Sequence, residues 1–366
     1  MADILCPYCL NKITSNTVKY ECSSCSQKLN MSRLDKLRKK LPKCTNNKCR
    51  KGTTLIKCQE CESELPADIF QYNKYLRFSI VGISGSGKTN YITTMIEELK
   101  KSRIGLTVAH MNSETINRFR EERNQIYHNL EPADATQVGS ILPYQWRVQK
   151  KAIGSNRIDS YCMTVFDGAG EDFENLDPTV CAYISESKYI IFLVDPMALG
   201  NVRLSVGNKD LIDWSSSSEL NGDYEKNDAS EELASSMAAY IRQTRGISTN
   251  KVIKVPIAIC FTKIDLVLNQ FGIQNITQES PHAKAQGFKK DDADLIDAEI
   301  RNYLMEIGEG TFLDVIDTNF SNVKFFGVSS FGNSPIGKGK LMTVEPHRVL
   351  DPLMWILSQE GIIPVL

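Results

Sequence analysis

Short apolar runs, each closed by a glycine, proline or polar turn, recur along the chain from residue 78 onward. FSIV (78–81), the stretch Tyr144 to Val148, CMTVF (162–166), YIIFLV (189–194), VPIAICF (255–261) and VKFFGV (323–328) are four to seven residues long. That is the length of a strand rather than a helix. Several are apolar without alternation, as a parallel sheet covered on both faces requires. Between them the apolar positions fall at helical spacing. This occurs in NYITTMIEELKK after residue 89, from Ala229 to Thr244, in ADLIDAEIRNYLMEIG and in RVLDPLMWILSQEG. In the last of these, Leu353, Trp355, Ile356 and Leu357 are expected on the core side. Strand and helix in alternation predict a three-layer α/β domain with a mainly parallel sheet. Near the N-terminus Leu34, Leu37 and Leu41 repeat at helical spacing inside a basic stretch, which predicts a short amphipathic helix.

Composition adds limits. The 366 residues are 42% hydrophobic and 24% charged, enough apolar content for a sizeable core and a length that favours two domains. The strongest apolar run, Tyr189 to Val194, is six residues long, far short of the roughly 18 that cross a bilayer. The start, MADILCPYCL, lacks the basic and apolar regions of a signal peptide, and the end, GIIPVL, has no prenylation cysteine. A soluble cytoplasmic protein that does not engage a membrane is expected.

Eight of the 11 cysteines fall in the first 61 residues as Cys6/Cys9, Cys22/Cys25, Cys44/Cys49 and Cys58/Cys61. Three pairs are C-x-x-C and one is C-x-x-x-x-C. A tight turn with that spacing sets both sulfurs on one face, as a tetrahedral zinc demands. Twelve residues separate Cys9 from Cys22 and eight separate Cys49 from Cys58. That spacing suggests two zinc ribbons in succession over residues 1–69, each with four thiolates; an interleaved cross-brace is the alternative. Disulfides need an oxidising compartment, for which nothing in the sequence speaks. Residues 1–76 hold 14 Lys and Arg against 7 Asp and Glu, a formal +7. Two zincs with eight thiolates bring this to +3, which weakens a nucleic-acid reading. No aromatic ladder supports base stacking either. A protein partner docking on the zinc module is the expectation.

FSIV runs directly into Gly82-Ile83-Ser84-Gly85-Ser86-Gly87-Lys88-Thr89, and a helical stretch comes next. Strand, G-x-x-x-x-G-K-T and helix is the context in which this phosphate loop has meaning. Its glycines let backbone N–H groups point at phosphates, and the helix N-terminus adds its positive end. Lys88 is expected on the terminal phosphates and the Thr89 hydroxyl on magnesium.

From there to about residue 360 the motifs resemble, in order and spacing, the translation-factor-related (TRAFAC) GTPases. Asp167-Gly168-Ala169-Gly170 is similar to the family's Asp-x-x-Gly. The resemblance implies that Asp167 holds magnesium through water and that Gly170 offers its N–H to the γ-phosphate. Thr262-Lys263-Ile264-Asp265 resembles the guanine-reading [Asn/Thr]-Lys-x-Asp, with Ile264 in the core. Ser329-Ser330-Phe331 is similar to the Ser-Ala-Lys loop, which implies a Ser330 N–H to guanine O6, although Phe331 departs from the usual lysine. Thr136 is the choice for the first-switch threonine, with Thr107 and Thr115 as competitors. Glu171 stands where Ras-like members carry a water-orienting glutamine.

Residues 70–366 are therefore expected to form a GTPase domain with insertions near 197–250 and 266–310. Its cofactors would be GTP or GDP, magnesium and two zincs. The resemblance implies a GTP-hydrolysing switch, slow alone and stimulated by a partner that docks on the zinc module or the insertions, or by a homo- or hetero-dimer of G domains. The zinc module in front and the closing apolar helix resemble the double-GTPase group of bacterial conflict and defence clusters. The rival expectations are an idle GTP-bound scaffold and a P-loop ATPase.

Overall fold

The structure, a computed structural model, describes residues 4–38, 40–49, 52–134, 143–152, 154–168, 177–202, 229–271, 274–333 and 340–366. Thr136, Gly170 and Glu171 lie outside these residues, as does most of the 197–250 insertion ahead of its helix.

A four-stranded antiparallel sheet forms first, from β1 (Val18–Cys22), β2 (Lys28–Leu29), β3 (Thr54–Cys58) and β4 (Glu64–Leu65), in the order β2-β1-β3-β4. Helix α1 (Arg33–Arg38) sits in the connection from β2 to β3. Leu34 is 61% exposed there, so it does not face a core as the helical spacing predicts. Leu41, beyond the helix, packs against the module's core.

The second sheet has seven strands in the order β11-β10-β9-β5-β8-β7-β6. They are β5 (Lys74–Val81), β6 (Leu106–His110), β7 (Tyr144–Lys151), β8 (Ile158–Asp167), β9 (Tyr189–Val194), β10 (Ile257–Phe261) and β11 (Val323–Gly327). β5 with β9, β9 with β10 and β10 with β11 are parallel. Every residue of β9 and β10 is buried, which explains their unbroken apolar sequence. The helices are α2 (Lys88–Lys101), α3 (Ser113–Asn124), α4 (Pro178–Glu186), α5 (Ala229–Arg245), α6 (His282–Ala285), α7 (Lys290–Glu306), α8 (Gly310–Asn319) and α9 (Asp351–Gln359). Together with the mostly parallel sheet they make the expected three-layer α/β fold. In α9, Leu353, Trp355, Ile356 and Leu357 are all buried.

The chain resolves into two compact units. One comprises Met1–Leu76, Thr107–Thr115 and Pro143–Thr164, and the other comprises Arg77–Leu106, Ile116–Leu142 and Val165–Leu366. Within the first unit, the buried residues of the cysteine-rich sheet form one cluster with Tyr72, Tyr75 and Cys162 of β8. The Tyr8 hydroxyl accepts from Asn112 Nδ2 at 3.3 Å and from Gln145 Nε2 at 3.1 Å. The Cys-Pro-Tyr-Cys turn is thereby seated on β7 and on the turn after β6.

In the second unit Arg348 is a buried node with φ of 52°. Its Nη1 donates to Asp292 and Asp351 at 2.9 and 2.7 Å, and its Nη2 donates to Asn275 O and Asp292 at 3.1 Å each. Nε completes the set on Gln278 O at 3.0 Å. His282 Nε2 lies 3.8 and 3.7 Å from the same two carboxylates. The guanidinium offsets one of the two carboxylate charges and fastens α9 to the start of α7.

Candidate nucleotide site and metal centres

The parallel register from β5 through β11 puts the carboxyl ends of four neighbouring strands on one sheet edge. At those ends stand the phosphate loop after β5, Asp195 after β9, Thr262 to Asp265 after β10 and Ser329 to Phe331 after β11. Asp167 ends β8, the neighbour of β5 on its other side. Ligands bind at this edge of open α/β sheets, where the strand order changes direction.

The loop has the form of a cradle. Gly85 and Gly87 have φ of 74° and 82°, a region that side chains disfavour. A Cβ on Gly82 would fall 2.5 Å from Ser86 Oγ and 2.7 Å from Leu193 O. Gly87, the N-cap of α2, has no side chain to cap the first-turn N–H groups. Lys88, buried, turns back over the loop and donates to Gly82 O at 2.8 Å and Ile83 O at 3.0 Å. The Ser86 hydroxyl is fully buried with no hydrogen-bond partner among the described residues. Such a group calls for a polar ligand, and a phosphate oxygen would satisfy it. Thr89 sits in the first helical turn, and the Asp167 carboxylate is completely buried. A hydroxyl and a carboxylate are the hard oxygen donors that suit magnesium.

At the ends of β9 and β10, Thr262 N and Oγ1 both donate to Val194 O, at 2.9 and 3.2 Å. That bond ties the end of β10 to β9. Lys263, at φ 49°, reaches Asp195 Oδ2 with its ammonium at 2.5 Å, and Asp195 Oδ1 accepts from Met197 N at 2.9 Å. Ile264 is in the core, as expected. Burial pushes the Asp265 carboxyl above its usual range, while the Ser329 hydroxyl, a backbone N–H, Lys263 and His347 pull it back. Ser329 Oγ accepts from Gly332 N at 2.8 Å, and its hydroxyl is the foremost group favouring the charged form of Asp265. Ser329 and His347 exchange backbone bonds of 2.9 and 2.8 Å, which hold the loop against the segment before α9.

Among the first-switch competitors, Thr115 is structural: its Oγ1 accepts from Gln145 N at 3.0 Å and its N–H donates to Asn112 at 2.7 Å. Thr107 is exposed on edge strand β6. Ala133 N donates to Asn90 Oδ1 at 2.8 Å. Residue 133 is thereby held beside the first turn of α2.

Arg118 and Asp195 belong to none of the sequence motifs. Arg118 Nη2 lies 2.6 Å from Asp167 Oδ2 and its Nε 2.9 Å from Glu122 Oε1. The Arg-x-x-x-Glu spacing on α3 was a signal for the second contact but carried none for the first. Asp195 could have been marked by its place at a strand's carboxyl end.

The cysteines form two clusters, Cys6, Cys9, Cys58 and Cys61, and Cys22, Cys25, Cys44 and Cys49. The pairing is nested, neither sequential nor the cross-brace of pairs one and three. The reason is the antiparallel ladder, in which Val18 opposes Cys58 and Cys22 opposes Thr54. The knuckles that follow β1 and β3 thus lie at opposite ends of five residues, about 13 Å apart. The knuckle after β3 meets the chain entering β1, and the knuckle after β1 meets the chain entering β3. Facing sulfurs are 3.7 Å apart for Cys6–Cys61, Cys9–Cys58 and Cys25–Cys44, and 3.6 Å for Cys22–Cys49. Tetrahedral bonds of about 2.3 Å to zinc set sulfurs about 3.8 Å apart, so both clusters fit that ion. The N–H groups of Ser24 and Cys25 draw the Cys22 thiol down to about 6, while Cys22 and Cys25 push Cys49 up to about 12. A shared dication is what lets four neighbouring thiols ionise together. Cys162, Cys181 and Cys260 are buried outside both clusters.

No helix of the described residues is long and apolar enough to cross a membrane. No family model matches the chain. No curated protein matches it either. Among solved structures it is similar to the GTPase-like domain of S. cerevisiae Ski7 bound to GDP and inorganic phosphate, with 13% identity over 81% of this chain and 52% of that one, at a TM-score of 0.37. The same domain bound to GTP gives 11%, 81%, 52% and 0.34. Roco2 RocCORdC of Methanosarcina barkeri bound to GDP gives 13%, 78%, 48% and 0.28. The chain spans about half the length of these solved chains. The likenesses are distant. The site's own residues form a phosphate loop at the carboxyl edge of a mainly parallel sheet, the setting of a P-loop nucleotide-binding fold.

Proposed function

We propose that the chain binds GTP with magnesium and hydrolyses it as a molecular switch. The observation that carries this is the order of groups along one sheet edge. Asp167, the phosphate cradle, the Lys263–Asp195 pair, Asp265 and the Ser329 loop stand at the ends of successive neighbouring strands. A nucleotide lying along that edge meets phosphate ligands first and base ligands two strands away, roughly 10 Å at the usual strand spacing. Asp265, ionised, accepts from guanine N1–H and the 2-amino group, which adenine does not offer together. The Lys263 stem, fixed by Asp195, flanks the base, and Ser330 N–H faces O6. Backbone N–H groups of Ser84 to Lys88 hold the β- and γ-phosphates, and the Lys88 ammonium moves from the loop carbonyls to the phosphate oxygens. Thr89 and Asp167 would hold magnesium, which would neutralise phosphate charge. Thr136 and Gly170 sense the γ-phosphate, and Glu171 orients the attacking water.

The two cysteine clusters each take a structural zinc in this reading, and the module docks a protein partner from its remaining surface. Slow turnover alone, raised by a partner or by a second G domain, goes with the replacement of glutamine by Glu171. The zinc module and the closing helix support placement with the double-GTPase type.

Calorimetric titration of the full chain with GTP, ATP and their non-hydrolysable analogues tests the binding. Single-turnover hydrolysis by wild type, Glu171→Gln and Glu171→Ala, with Lys88→Ala as blank, tests the chemistry. GTP is expected to bind far more tightly than ATP, with turnover on the order of 10⁻³ to 10⁻² per second. Equal affinity for the two would make this a different P-loop protein. Tight GTP binding with turnover no faster than the blank would make it a scaffold.

A further inference from the structure

Asp167 is fully buried at the end of β8, and an uncompensated carboxylate there is expensive. Its charge is met by Arg118, whose Nη2 approaches Asp167 Oδ2 to 2.6 Å. Arg118 is itself fixed from behind. Its Nε donates to Glu122 Oε1 at 2.9 Å, and Glu122 Oε2 accepts from Thr93 Oγ1 at 3.1 Å. Thr93 lies one helical turn beyond Thr89 on α2, so α3 holds the guanidinium alongside the same first turns that carry the magnesium-binding hydroxyl. The guanidinium and a magnesium-bound water are both donors, and both address the carboxylate of Asp167. They compete for it.

We propose that Arg118 is a positioning residue of the nucleotide site. Its guanidinium stands in for the divalent cation on Asp167 in the nucleotide-free chain and is displaced onto the triphosphate when metal and nucleotide enter together. This rests on the proposed binding of GTP and magnesium. Glu122 keeps hold of Nε during the exchange, so Arg118 is freed at the phosphates rather than into solvent. The charges favour the exchange, because a triphosphate with one magnesium still carries net negative charge and attracts the released cation. Metal loading and the positioning of a phosphate-facing arginine thereby become one event.

The test is retention of a fluorescent, non-hydrolysable GTP analogue by the full chain, titrated with Mg2+ from a chelated start. In wild type, retention rises with Mg2+ to a half-saturation point. Arg118→Ala removes the competitor, and that point is expected to fall by about tenfold or more. Arg118→Lys, which cannot fork between Glu122 and Asp167, moves it the same way by less and carries the test where the alanine variant does not fold. A purely structural arginine predicts the opposite, because a misplaced Asp167 binds metal less well and needs more Mg2+. A half-saturation point that is unchanged or raised in both variants, against a clearly Mg2+-dependent wild type, overturns the proposal and leaves the nucleotide reading intact. A wild type indifferent to Mg2+ overturns the magnesium reading itself, and this proposal with it.

Discussion

Replacement of Ser329 by alanine isolates one atom of the base site. Ser329 is 2% exposed, its Oγ accepts from Gly332 N at 2.8 Å, and its hydroxyl favours the charged form of Asp265. The substitution removes that hydroxyl, and a hydrogen bond to a charged group, worth about 1.5–3 kcal/mol, is the upper bound of the effect. At about 1.4 kcal/mol per factor of ten, GTP affinity falls by up to about ten- to hundredfold. ATP, which does not use the Asp265 carboxylate pair in this way, is little affected. The variant also has a signature in pH. Asp265 must be ionised to accept two guanine donors, and burial already sets its folded pKa above the usual carboxylate value. GTP affinity in wild type is therefore full at neutral pH and is lost as pH falls through that raised pKa. Ser329 is the foremost of the groups that pull the value back down, so without it the loss begins at higher pH. Competition titrations of a fluorescent GDP analogue between pH 5 and 8, with circular dichroism as the control for folding, measure both effects. Unchanged affinity at pH 7.5 together with an unshifted pH profile would refute the assigned hydrogen bond and the role given to Asp265.

Arg348→Ala leaves Asp292 and the buried Asp351 without the cation between them and is expected to destabilise the second unit by roughly 3–5 kcal/mol in urea unfolding. A loss under 1 kcal/mol would mean that the node is dispensable. For the cysteines, elemental analysis should give two zincs per chain, and the nested pairing has a test of its own. A Cys6→Ser, Cys58→Ser double variant damages a single cluster, so one zinc and one cobalt-substituted tetrathiolate spectrum should remain. Sequential pairing damages both clusters and leaves neither.

Local order fixed much of this protein. The phosphate loop, the buried strands β9 and β10 and the core face of α9 arise from residues adjacent in sequence, because a turn, a strand or a helical stripe is specified by its own neighbours. The same holds for each cysteine knuckle, whose two ligands lie on a single turn. Which knuckles share a metal was decided elsewhere. The antiparallel pairing of β1 with β3 reverses the chain and brings the first pair to the fourth and the second to the third. Leu34 shows the opposite failure, since it stands exposed on a six-residue helix although its spacing is helical. Arg118, Asp195 and His347 carry no motif, and only the fold sets them beside Asp167, Lys263 and the Ser329 loop. Contacts across a sheet edge join segments tens of residues apart, and their partners are chosen by strand order and register, which no local spacing records.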